Sequence, residues 1–268
     1  MRWLLVIVAA CQSSAPQPTS TDDKPPRIVT LSPSATEVVT ALGAEAALVG
    51  VDDYSDFPAD VTKLPHVGSF MTPNLEVIVQ LRPTLVIVDD IHSQVAGALH
   101  DAGITSRECP MHTVADVKTC LASVAADLHR DPKPAIASID NAIAHVQAPP
   151  THPKVLLVID REQGGVNSIV AAGPGTFDDE LLALAGGMNV LAGASVKYPK
   201  IGTEEVLRLQ PDVIVDLSYA GRDSMKAWDA LDVPAVKQHK VQLLTSSLLA
   251  HPSPRIAEAL ELLSRSIK

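Results

Sequence analysis

The sequence predicts an α/β protein of two similar lobes with mainly parallel sheets, joined by one connecting helix. A twelve-residue unit is written twice, as EVIVQLRPTLVI from Glu76 and EEVLRLQPDVIV from Glu204. Each copy reads as a helix with apolar spacing, halted at a proline and followed by a continuous apolar strand. From Arg27 onward, short apolar runs alternate with amphipathic stretches, the pattern of strands linked by helices. Between the two copies, residues 132–149 carry helical spacing at Ile136, Ile139, Ile143 and Val146 and end at Pro149-Pro150, which predicts the connecting helix.

Residues 1–24 are expected to lie outside both lobes. Arg2, the apolar run WLLVIVAA and small residues up to Cys11 have the layout of a secretory signal. Val8-Ala9-Ala10-Cys11 is similar to a bacterial lipobox, in which the cysteine is acylated and anchors the chain to a membrane; a buried strand over residues 1–11 is the alternative. The following QSSAPQPTSTDDKPP is polar and rich in Pro, Ser and Thr, as a flexible tether would be.

The N-terminal lobe is expected over residues 25–131. It runs through strand IVTLS, helix TEVVTALG, strand ALVGVDD, the first repeat ending in LVIVDD, strand ITSREC and a helix from Val114. Cys109 ends the last of these strands and Cys120 sits in that helix, so a disulfide and two separate buried thiols both stay open. The C-terminal lobe is expected over residues 150–268. It holds strand KVLLVID, then IVAAG, a turn at Gly173-Pro174-Gly175, helix FDDELLALAGG closed by Gly186-Gly187, the second repeat, VQLLTSS and a last helix after Pro254. Parallel strands linked by helices offer ligands their C-terminal ends. Here those ends are Ser32-Pro33, Asp53-Tyr54, Asp89-Asp90, Asp160-Arg161 and Thr245-Ser246-Ser247.

A chain of 268 residues with 46% hydrophobic content can build one large core or two lobes of roughly 110–120 residues. A formal charge of -10 argues against a nucleic-acid surface, which needs clustered Lys and Arg. The nine histidines are scattered. His92, beside Asp89-Asp90, and His251 are weighed as metal ligands, but solvated strand-end histidines explain them better and no metal site is expected. No nucleotide loop and no nucleophile–base pairing is visible, so no enzyme is expected.

Six segments, RIVTLSPSATEVVTALG, VGVDDYSDFP, NLEVIVQLRPTLVIV, AAGPGTFDDELLALAGGMNV, YPKIGTEEVLRLQPDVIV and PSPRIAEAL, resemble in order and spacing the cobalamin-binding proteins of bacterial ABC importers. The resemblance covers nearly all of the chain from Pro25. It implies a class III periplasmic binding fold of two Rossmann-like lobes on one long helix, and an exported monomer that hands a small molecule to a permease and ATPase. It also implies that Glu76 and Glu204, one on each lobe, dock into arginine pockets of the permease. Of the positions that are aromatic in relatives, Tyr54, Phe70 and Tyr198 remain so. Asp89 stands in place of a tryptophan, Ser247 in place of an aspartate and Leu248 in place of a second tryptophan. The expected ligand set is therefore Tyr54, Phe70, Asp89, Arg161, Tyr198 and Ser247, in a pocket more polar than that of relatives. Arg161 is expected to face the cleft or to pair internally with Glu162. The expected cargo is a corrinoid, with haem, a ferric siderophore or a bare metal ion as alternatives, and no resident cofactor. A surface-anchored enzyme on the same scaffold is the rival of another class.

Overall fold

The computed structural model describes residues 25–218 and 222–268, so the expected signal, lipobox and tether, Cys11 included, lie outside the described residues. The N-terminal lobe begins with β1 (Ile28–Thr30), α1 (Pro33–Ala41) and β2 (Leu48–Gly50), and passes through a hairpin of β3 (Gly68–Ser69) and β4 (Thr72–Pro73). It continues with α2 (Leu75–Gln80), β5 (Leu85–Val88), α3 (Ser93–Asp101), β6 (Ser106–Glu108) and α4 (Val114–Asp127). Its main sheet has the order β2-β1-β5-β6, and every pairing is parallel. Helix α5 (Lys133–His145) then leads into the second lobe. It is shorter than the expected 132–149, because Val146 turns to extended backbone ahead of Pro149-Pro150, where helical geometry is disfavoured.

The C-terminal lobe contains β7 (Lys154–Arg161), β8 (Ile169–Ala171), α6 (Phe177–Leu184), β9 (Met188–Asn189), β10 (Lys200–Ile201) and α7 (Thr203–Leu209). It ends with β11 (Val213–Asp216), α8 (Pro234–Lys237), β12 (Val241–Leu243) and α9 (Ile256–Ser266). The sheet order is β10-β8-β7-β11-β12, with β9 also paired to β7. Strands β7, β9, β11 and β12 pair in parallel, whereas β8 is antiparallel to β7 and β10 to β8. The second lobe thus does not simply mirror the first. The seven residues between Arg161 and Ile169 are too few for the crossover that a parallel return needs.

The repeated unit takes the same place in both lobes. In the first, α2 feeds β5, which pairs in parallel with the lobe's opening strand β1; in the second, α7 feeds β11, which pairs in parallel with β7. Both helices end at a left-handed residue just before the proline, Arg82 (φ 47°) and Gln210 (φ 49°). Each sheet buries both faces, so successive strand residues enter different cores. Val29, Val86 and Val88 pack outward with Ile78 of α2 and Leu99 of α3, while Leu156, Val158 and Ile214 pack with Val206 of α7 and Trp228. Ile28, Ile87, Leu157 and Val215 belong instead to one central cluster that runs through α1, α4, α6, α9 and Ile139 of α5. The lobes therefore share a continuous apolar core behind the cleft.

Of the two readings open for the cysteines, the structure shows the bridge. Cys109 and Cys120 are bonded, with their Cα atoms 5.4 Å apart, tying the end of β6 to α4. Among the described residues, no helix is long and apolar enough to cross a membrane.

Candidate functional site

A cavity of about 800 Å³ opens between the lobes. One wall comes from the segment after β1 (Ser32 to Ser34), the loop with Tyr54, Phe70 on the β3–β4 hairpin, Asp89 after β5, and Met111 and His112. The facing wall comes from Gly175 to Asp178 at the start of α6, Lys197-Tyr198, and the stretch from Ser247 to Pro252 after β12. Most of these positions follow the carboxyl end of a strand, where the fold leaves a crevice.

Local chemistry explains how the walls are held. Ser32 caps α1, its side chain accepting from the Ala35 amide. Behind it runs a buried polar chain: Thr30 Oγ1 lies 2.6 Å from Thr36 Oγ1, which lies 2.7 Å from Ser55 Oγ. Ser55 in turn donates to Asp52, which also accepts from the Tyr54 amide at 3.1 Å. This anchors the loop that carries Tyr54, a residue 68% exposed that lines the cavity. Phe70 packs edge-on against His92, with ring centroids 5.1 Å apart.

His92 is not available as a metal ligand. Its Nδ1 accepts from the Asp89 amide at 2.9 Å, which fixes the proton on Nε2 for donation to the Phe70 carbonyl at 2.6 Å. His251, the other histidine weighed for metal, approaches Glu37 at 3.2 Å. Among the described residues, the group with metal-ligand spacing is Asp89, Asp90 and His112, whose ligand atoms lie within 4.8 Å of one another.

On the second lobe, Gly173 permits the approach of the loop bearing Tyr198. Its amide donates to the Lys197 carbonyl at 2.7 Å, and a Cβ there would stand 2.6 Å from the Val196 carbonyl oxygen. Thr176 caps α6 by accepting from the Asp179 amide, and Asp178 is the second residue of that helix. Burial pushes the Asp178 carboxyl up to about 7, and burial together with Asp178 raises the Tyr198 phenol. Burial also pushes Asp89 up to about 7, assisted by Asp90 alongside it.

Five of the six expected ligand residues, Tyr54, Phe70, Asp89, Tyr198 and Ser247, therefore line one cavity. Arg161 does not, and that expectation is corrected. It is buried inside the second lobe with its Nε 2.7 Å from Asp216 Oδ2, both side chains wholly inaccessible. The same Asp216 accepts from Trp228 Nε1 at 3.0 Å and from the Ser218 hydroxyl at 2.6 Å, and the guanidinium lies over the Trp228 ring. The internal partner is thus Asp216 and not Glu162; β11 brings it beside β7, which sequence proximity does not reveal. Asp178, Met111 and His112 line the cavity without having been singled out. For Asp178 the signal was present: it follows a Gly-Pro-Gly turn after a strand, but in DDE it looks like any acid in a helix's first turn.

Glu76 and Glu204 occupy equivalent positions, each exposed as the second residue of its helix, α2 and α7. One further contact joins the lobes. Arg255, ahead of α9, donates from Nε to Glu37 Oε2 of α1 at 2.8 Å and from Nη2 to Oε1 at 2.5 Å, and its guanidinium lies 3.9 Å from the centre of the Phe57 ring.

Two α/β lobes around a shared core, with an open cavity at their strand ends, define a two-lobed solute-binding protein. The chain belongs to the periplasmic binding protein family, whose model matches residues 28–248. Members of this family bind solutes and are not enzymes. The chain is 30% identical over 259 residues to the vitamin B12-binding protein of Salmonella typhi, covering 90% of each chain. Among solved structures, the periplasmic vitamin B12-binding protein BtuF of Vibrio cholerae matches with a TM-score of 0.70 and 27% identity, over 91% of this chain and 97% of that one. The periplasmic heme-binding protein RhuT of Roseiflexus sp. RS-1 matches with a TM-score of 0.76 and 26% identity, over 91% and 98%.

Proposed function

We propose that this protein captures a corrinoid in the interlobe cavity and delivers it to an ABC importer, while held at a membrane through acylated Cys11. The observation that carries the reading is the aromatic mouth of the cavity, with Tyr54 and Phe70 on one lobe and Tyr198 on the other. Flat faces of this kind suit a planar macrocycle, and a cavity of this volume suits a small-molecule ligand. Likeness to vitamin B12-binding proteins over 88–91% of the chain supports the same cargo. Glu76 and Glu204 would meet the permease, their twin placement giving one docking charge per lobe.

Haem is the second reading. It is favoured by the likeness to RhuT and by Tyr54, Tyr198 and His112 on the cavity wall, side chains able to ligate iron. Absorbance titration of the purified protein with cyanocobalamin and haemin separates the two. The corrinoid reading expects saturable one-to-one uptake of cyanocobalamin that weakens at least about tenfold in Tyr54→Ala/Tyr198→Ala; tight uptake of haemin alone would replace it with the second.

A further inference from the structure

Among the described residues, two buried side-chain polar atoms lack a hydrogen-bond partner, Asp89 Oδ1 and Asp178 Oδ1. Both residues line the interlobe cavity, one from each lobe, and both are more than nine-tenths buried, at 7% and 9% exposure. Folded proteins pair nearly all such atoms, because an unpaired one costs the desolvation of its group with no return. The other buried acids described above follow that rule: Asp52, Asp216 and Glu37 each hold several donors. The two exceptions both line the interlobe cavity, where a ligand can bring donors of its own.

We propose that Asp89 and Asp178 determine specificity in the cleft by accepting hydrogen bonds from N–H groups on the cargo, so that the protein selects a corrinoid with carboxamide side chains over a macrocycle with free carboxylates. The inference rests on the corrinoid reading above. Each primary amide on a corrin rim offers two N–H donors, and an amide donating to a buried carboxylate forms a charge-assisted bond, about twice as strong as a neutral one. A carboxylate on the cargo offers acceptors and a negative charge to the same oxygens. It could pair there only with the protonated form of an acid, whereas an amide N–H is accepted by either form and gains the charge-assisted bond with the ionised one. Of the basic side chains on the cavity wall, Lys197 is exposed, His251 is held by Glu37, and His112, exposed beside Asp89, is engaged by Asp90 with its Nε2 2.9 Å from Asp90 Oδ2.

The test titrates purified protein with dicyanocobinamide, whose periphery is amidated, with dicyanocobyrinic acid, its carboxylate counterpart, and with haemin. Wild-type protein is expected to prefer the amidated corrinoid by about tenfold or more. Asp89→Ala and Asp178→Ala should each weaken that corrinoid about tenfold and narrow the preference. Thermal melts and circular dichroism of the unliganded variants, with Asp89→Asn and Asp178→Asn as variants that keep the side-chain volume, should show a folded protein, so that a lost affinity does not reflect unfolding. Equal wild-type affinity for the two corrinoids, or full affinity for dicyanocobinamide in the double variant, overturns this inference and leaves the corrinoid reading standing. Uptake of haemin with neither corrinoid overturns both.

Discussion

Glu37 and Arg255 stand 218 positions apart and meet across the lobes, one on α1 and the other just ahead of α9. Burial alone would raise the Glu37 carboxyl, but bonds from His251 and Arg255 outweigh it and bring the group down to about 2. A lowered folded-state value stabilises the fold above the ordinary glutamate range, and that contribution disappears as pH falls from about 4.5 toward 2. It amounts to about 3 kcal/mol, so Glu37→Gln should lower the wild-type melting temperature at pH 7 and leave it little changed near pH 2. Asp178 works in the opposite sense. Its raised value means the unliganded fold loses stability as pH rises from about 4 to 7, and Asp178→Asn should flatten that decline in melts across the range. Arg161→Met leaves Asp216 buried without its cation and should cost about 3–5 kcal/mol in denaturant unfolding, with cargo affinity unchanged in the folded fraction. At this scale the sequence was least legible. Tyr54 and Tyr198 were visible through the family resemblance, because they keep an aromatic side chain where relatives have one. The Arg161–Asp216 and Glu37–Arg255 pairs were hidden because strand pairing and lobe docking, not spacing along the chain, bring them together.

Two small devices shape the cleft wall at the scale of elements. The Cys109–Cys120 bridge closes the segment that carries Met111 and His112 into the cavity. Reduction should lower stability by about 2–3 kcal/mol, as expected for a short closed loop, and should also weaken cargo binding because that wall loosens. Gly173 acts through space: Gly173→Val should push back the Val196–Lys197 backbone, misplace Tyr198 and weaken binding, with the circular dichroism of the folded protein retained. Elements were read well where pattern is strong. The duplicated αβ units, the strands KVLLVID and LVIVDD and the helix from Val114 stand where periodicity puts them. Strand β8 was found, but its antiparallel sense follows from the length of a connection and not from its own residues. Helix α3 was passed over, since Ser93 to Asp101 mixes Gly, His and Ala with few large apolar side chains.

For the whole molecule, the continuous core through α5, α6 and α9 and the Glu37–Arg255 contact both oppose wide separation of the lobes. On the proposed reading, unloading calls on the importer to prise them apart, and Glu76 and Glu204 would provide the docking contacts for it. Glu76→Ala with Glu204→Ala should abolish most cargo uptake in a transport assay while the affinity of the purified protein stays at the wild-type value. Two lobes were legible at this scale because the repeat reports a duplicated architecture directly. The cargo was not, because Asp89, Ser247 and the scarcity of aromatics change what the pocket contacts without changing the fold that forms it. The central claim is that both lobes grip one flat chelate, and a crystal structure of the complex with dicyanocobinamide tests it most directly. The account predicts a single corrin in the interlobe cavity, touching Tyr54 or Phe70 on one side and Tyr198 on the other. A corrin seated on one lobe alone, or anywhere outside that cavity, would contradict it.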